Sequence, residues 1–145
     1  MPRVGIAFYY NKDGAGWRLQ TSGLGPTLFR TFEVFVDRIP QPNWKTTMNA
    51  LRLQQDVFEF EHTTVRAEVL LKPDVSSKIL WVANEQVAHA LKREQSRVEI
   101  VCCYCSLYDE CWRTTNRKGR ELEKVRKCKP LSNVEFDSPP IESTN

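Results

Sequence analysis

Apolar positions in this chain fall into short runs separated by turn residues, and most runs carry the two-residue period of strands rather than the longer period of helices. Residues 3–10, RVGIAFYY, are rich in β-branched and aromatic side chains and predict a strand. Asn11, Asp13, Gly14 and Gly16 supply turn chemistry after it, and SGLGP (Ser22–Pro26) is a second turn. In TLFRTFEVFVDRI, Phe29, Thr31, Glu33, Phe35 and Asp37 share one side, and Leu28, Arg30, Phe32, Val34, Val36 and Arg38 the other. Neither side is cleanly apolar, but the aromatic and valine content predicts a well-buried strand. Pro40–Trp44 breaks the chain. TTMNALRLQQD then fits a short helix with Met48, Leu51 and Gln55 on one face. Val57–Leu71 predicts a strand pair or one long bent strand, ended by KPDVSS.

The stretch SKILWVANEQVAHALKREQ supports either one helix or a short strand, Ile79–Val82, followed by a helix from Asn84 to about Lys92. Asn84 as N-cap and Glu85 in the first turn favour the second reading. RVEIVCCY is a strand running into the cysteines. Beyond Trp112 the chain reads as a basic helix. Residues 131–145 are polar, acidic and proline-interrupted, the composition of a disordered tail. The expected architecture is one α+β domain over residues 1–130, an antiparallel sheet with one or two helices, containing a cysteine-rich subregion at 97–129.

Composition narrows the classes. With 145 residues, 41% apolar and 27% charged, the chain has the makeup of one soluble globular domain. No apolar run reaches about 18 residues, so no membrane partner is expected. The N-terminus lacks the features of a signal peptide, which predicts a reducing compartment, the host-cell cytoplasm or nucleus once the resemblance below is taken in, and no secretion. The net charge of +3 is uneven. Trp112–Lys129 holds eight basic residues against Glu121 and Glu123, a net +6, leaving −3 for the remainder. That asymmetry suits a polyanionic partner.

Four of five cysteines lie between Cys102 and Cys111, and the fifth is Cys128. Cys102 and Cys105 form a C-x-x-C pair at the end of a strand, a spacing that lets two thiolates share a tetrahedral ion. With Cys111 and Cys128 they make a four-thiolate candidate for Zn2+, with His89 or His62 as a substitute ligand. The alternative is that Cys102 and Cys103 point to opposite sides of a strand and one is simply core. A redox role, with nearby cations lowering a thiol pKa, is a further reading. CCYCSLYDEC lacks the setting of a thioredoxin-like site.

The basic segment offers Trp112, Arg113, Arg117, Lys118, Arg120, Lys124, Arg126 and Lys127 as a nucleic-acid face, cations for phosphate and an indole for stacking on a base, with Tyr104 and Tyr108 nearby. A solvated helix, pairing Glu121 with Lys124 and Glu123 with Lys127, explains the same residues. No Gly-rich phosphate loop, H-E-x-x-H or G-x-S-x-G occurs, so an enzyme is not expected.

Across Asn84–Cys128 the sequence resembles the small proteins encoded first in sobemovirus genomes. The resemblance rests on Glu85, Gln86 and Val87, then a hydrophobic strand ending in Val101, Cys102 and Cys105, then Cys128. It implies a plant-virus protein that suppresses host RNA silencing, supports virus movement and binds zinc through cysteines, with RNA or host silencing proteins as partners. This chain departs from the family at Asp74 and Ser77, where an upstream C-x-x-C pair should fall. Two further readings stand beside it: a protein-interaction module using Trp17, Trp44 and the Pro40–Trp44 turn, and a redox-sensitive switch. A homodimer is compatible with all three.

Overall fold

The computed structural model describes residues 3–23, 27–53, 60–62, 70–71, 76–117 and 122–136. Its strands are β1 (Arg3–Asn11), β2 (Gly14–Ser22), β3 (Thr27–Val36), β4 (Ile39–Gln41), β5 (Phe60–His62), β6 (Leu70–Leu71), β7 (Ser76–Val82), β8 (Val98–Cys105), β9 (Cys111–Thr115) and β10 (Glu123–Val125). The helices are α1 (Trp44–Ala50) and α2 (Glu85–Glu94), the latter followed by a 3-10 turn at Gln95–Arg97. Two sheets form, one ordered β1-β2-β7-β5 and the other β10-β9-β8-β3-β4, with β6 on β3. Every pairing is antiparallel. The α+β domain predicted from the pattern is the one found, with two sheets and two helices.

Local chemistry accounts for the elements. In the β1–β2 hairpin Asn11 faces Gly14, so Lys12 and Asp13 form the two-residue loop. Gly14 carries a φ of +137°, and the Asn11 side chain accepts from the Asp13 amide at 2.8 Å. Gly16 is required for another reason: a Cβ there would lie 1.9 Å from the Leu80 carbonyl oxygen of β7. The β3–β4 turn places Asp37 and Arg38 in the left-handed region, and Arg97 clamps it with a fork from Nε to both Asp37 oxygens at 3.0 Å. The Arg97 hydrogen bond holds the Asp37 carboxyl below its ordinary value. Asn43 caps α1 by accepting from Thr46 N at 2.8 Å, and Asn84 caps α2 by accepting from Val87 N at 3.1 Å.

A single buried cluster joins both sheets and both helices, including Trp17 and Leu19 of β2, Val34 of β3, Met48 of α1, Leu91 of α2, and Ile100, Cys102 and Tyr104 of β8. Trp17 stacks on Trp44, centroids 6.4 Å apart. Both tryptophans are therefore core and offer no exposed aromatic site, contrary to the interaction-module expectation. The β3 strand shows why its alternation was unclean. A bulge between Phe29 and Thr31 shifts its register against β8, so Phe29 before it and Val34 and Val36 after it all reach the core.

Two expectations change. The segment after Trp112 is not a basic helix: its described residues form β9, paired to β8, and β10, paired to β9. Strand pairing with β8 and the β-branched Thr114 and Thr115 prevail there over helical charge spacing. The expected tail at residue 131 is packed as far as Phe136. Leu131 N and Ser132 N donate to the Glu33 carboxylate at 2.9 and 3.0 Å, and Phe136 lies edge-on to Phe32 and Trp44 with centroids 5.2 and 5.3 Å away. Most of the Val57–Leu71 prediction lies outside the described residues, β5 and β6 excepted. No helix among the described residues is long and apolar enough to cross a membrane.

Candidate functional site

Strand β8 sorts its cysteines by parity. Cys102 and Tyr104 face the core, while Cys103 and Cys105 project from the other face. Cys105 lies directly opposite Cys111 in the β8–β9 ladder, and the two are bonded as a disulfide with Cα atoms 4.0 Å apart. Cys103 is bonded to Cys128 of the C-terminal segment, Cα–Cα 5.6 Å. The Cys105 and Cys128 sulfurs sit 3.9 Å apart, and the sulfurs of Cys105, Cys111 and Cys128 all lie within 4.8 Å of one another. Ligands of a tetrahedral zinc with Zn–S of about 2.3 Å are about 3.8 Å apart. The Cys105–Cys128 separation suits two ligands of one soft divalent metal, but Cys105 is bonded to Cys111 and Cys128 to Cys103, so the group could hold a metal only with those disulfides reduced.

This corrects the four-thiolate candidate in two places. Cys102 is buried in the core on the wrong side of the sheet, the packing role weighed for it, and its burial pushes the thiol pKa far up. Cys103 takes its position beside the other sulfurs. The signal was present in the sequence, since Cys103 and Cys105 are two apart and must share a face of any strand. His89 is exposed on α2, where its ring lies 6.5 Å from that of Tyr10, and it is not among the residues grouped with the sulfurs.

The C-terminal segment lies across the sulfur-bearing face as a strap. Glu33 of β3, 5% exposed, accepts from Leu131 N, Ser132 N and Ser132 Oγ. Arg113, on the same face as its ladder partner Cys103, donates to the Lys129 carbonyl oxygen at 3.4 Å. A carboxylate with several donors is the arrangement that lets a charge stay buried. The sequence offered little warning beyond the oddity of a lone acid within an apolar strand.

The other end of the disulfide pair is a presented loop. Between Cys105 and Cys111 the chain turns through Ser106–Glu110, closed by Ser106 N donating to the Glu110 carbonyl oxygen at 2.8 Å. Ser106 Oγ accepts from the amides of Tyr108 and Glu110 at 3.2 and 3.4 Å, and Asp109 adopts a φ of +61°. At the tip Leu107 is 63% exposed and Tyr108 89%. An apolar pair held outward on a cross-linked, hydrogen-bonded turn is pre-organised for contact with another molecule.

The cationic residues are divided. Trp112 is 5% exposed and stacked on Tyr104, centroids 5.8 Å apart, so its ring cannot serve a base. Arg113 pairs with Glu123 at 3.2 Å across the β9–β10 ladder, and Lys124 with Glu110 at 3.3 Å. Arg117 is half-buried, while Arg126, Lys127 and Lys129 are exposed. Lys118 and Arg120 lie outside the described residues. No family model, no curated protein and no solved structure matches the chain.

Proposed function

We propose that this chain is a non-enzymatic plant-virus accessory protein, a suppressor of host RNA silencing that also supports virus movement, and that it works by gripping a host protein through the Leu107–Tyr108 tip. The viral reading is supported by the resemblance across Asn84–Cys128. The mode of action is carried by one observation: an apolar pair projects from a disulfide-footed turn while the only aromatic ring in the basic segment, Trp112, is buried. Anchoring side chains on a rigid support lose little entropy on binding. The exposed Arg126, Lys127 and Lys129 favour a second reading, charge-driven contact with RNA.

A leaf reporter assay tests both. The native chain should keep a silenced reporter active, and L107A/Y108A should abolish that activity with an unchanged circular dichroism spectrum. Loss confined to R126A/K127A/K129A, together with duplex-RNA binding that weakens as salt rises, would move the proposal to RNA. A native chain without suppression would end it.

In its reduced form the same cluster would hold Zn2+, with Cys105, Cys111 and Cys128 as ligands and Cys103 adjacent as the fourth. Metal analysis of reduced protein should find about one equivalent of zinc. C111S should lose it and C102A should keep it. A reduced chain without zinc would leave the cluster purely a cross-link.

A further inference from the structure

An acid three residues after a serine or threonine is the pattern read by acid-directed protein kinases. Three positions in the chain have it: Ser96 before Glu99, Ser106 before Asp109 and Ser132 before Glu135. A kinase cleft takes its substrate as an extended segment free of strand or helix pairing, and the fold withholds the first two. Glu99 belongs to β8 and pairs with Phe35 of β3, and the intervening Arg97 is tied to Asp37. Ser106 is 8% exposed, inside the turn that the Cys105–Cys111 disulfide closes. Ser132 lies in the strap, where no residue between 126 and 136 belongs to a strand or helix. Asn133 and Glu135 beside it are exposed, and no basic residue follows Lys129.

The Ser132 hydroxyl is also part of the clasp on Glu33. Its one hydrogen has two acceptors in reach, Glu33 Oε2 at 3.2 Å and the Val134 carbonyl oxygen at 3.4 Å, and Oγ accepts from Val134 N at 3.2 Å. Leu131 N and Ser132 N donate to the same carboxylate, which is 5% exposed. A phosphoryl group on Oγ removes the donor and adds up to about two negative charges beside that carboxylate. Like charges shielded from water repel strongly. Arg113, which touches the strap at the Lys129 carbonyl oxygen, is already engaged by Glu123 through Nη1.

We propose that Ser132 is a phosphorylation site and that its modification unclasps the strap from Glu33. The strap lifts by local opening. Ser132 Oγ then attacks the γ-phosphorus of ATP in the cleft of an acid-directed serine/threonine kinase. The Oγ–P bond forms as the bond from that phosphorus to the ADP oxygen breaks, and the hydroxyl proton passes to the kinase's catalytic carboxylate. The modified strap cannot close over Glu33 again. The Cys103–Cys128 bond keeps the base of the strap in place, so the release is confined to the residues beyond it.

The oxidised full-length chain, incubated with ATP and an acid-directed serine/threonine kinase, should take up one phosphoryl group, located on Ser132 by fragment mass. S132A, which keeps both amide bonds to Glu33, should take up none. Hydrogen exchange of the Leu131 and Ser132 amides, followed by NMR, should quicken about tenfold or more in the phosphorylated chain, because both lose a charged acceptor. A native chain that takes up no phosphate ends the proposal, as does uptake that persists in S132A. Exchange at Leu131 and Ser132 that is unchanged or slower would overturn it too, since the closed strap would then accommodate the phosphate. So would quickening matched by the amides of β8, which would mark general unfolding instead of release of the strap.

Discussion

Cys102 is set apart from the other cysteines by a single step of the strand, and its surroundings give it a different chemistry. It sits among apolar side chains with no solvent, where a thiolate would be uncompensated, so burial raises its pKa well above the ordinary value of 9.0. The sign of the pH effect follows. Below 9.0 the thiol is protonated in folded and unfolded chains alike, and pH exerts no leverage through it. Above that value the unfolded chain ionises while the folded one holds its proton, so stability falls by up to about 1.4 kcal/mol per pH unit. Tyr104, raised chiefly by burial, adds to the loss at still higher pH. Chemical denaturation at pH 8 and pH 10 should therefore show a steeper loss for the native chain than for Cys102→Ala. Thiol titration of the oxidised protein should find no reactive group when folded and one after denaturation. A native thiol reacting at pH 8 would place Cys102 outside the core.

At the scale of elements the strap decides how the sulfur face is covered. Removing the acceptor by Glu33→Ala leaves the Leu131 and Ser132 amides without their partner, at a cost of about 1–3 kcal/mol. Limited proteolysis should then cut between Lys129 and Phe136 far faster than in the native chain, and because the cut falls beyond Cys128 the C-terminal piece should leave without reduction. Equal cleavage rates would mean the strap is held by Phe136 alone. The elements also show where the sequence could be read. Helix α2 was legible because Asn84, Glu85 and the spacing of Val87 and Leu91 all agree. The β8 strand was legible from its unbroken apolar run, and so was the opposition of Cys102 to Cys103. The strands β9 and β10 were not, because their pairing partner β8 outweighs a charge pattern that also fits a helix. The bulge in β3 hid its inner face, since one inserted residue inverts the alternation on which the pattern rests. The roles of Glu33 and Leu107 were not legible, and Tyr108 was legible only as an aromatic near the basic segment, because these roles arise from contacts 98 residues away and from a cross-link that spacing alone does not specify.

At the scale of the molecule two sheets share one core, and a cross-link of sequence separation 25 ties its C-terminal end to the middle of the second sheet. Closing a loop of that length in the unfolded chain corresponds to about 3.5 kcal/mol of stability. Urea midpoints of the oxidised chain and of Cys103→Ser/Cys128→Ser should differ accordingly, whereas an unchanged midpoint would show that the strap contacts suffice alone. The position of β8 has one more consequence. It is the partner of β3, and Val36 waits for Val98 while Leu28 waits for Cys105. During synthesis the β1–β2 hairpin can close at once, but the phenylalanines of β3 stay uncovered until some seventy further residues have left the ribosome. Nascent chains stalled before residue 98 should accordingly be the species that chaperones seize and that precipitate first.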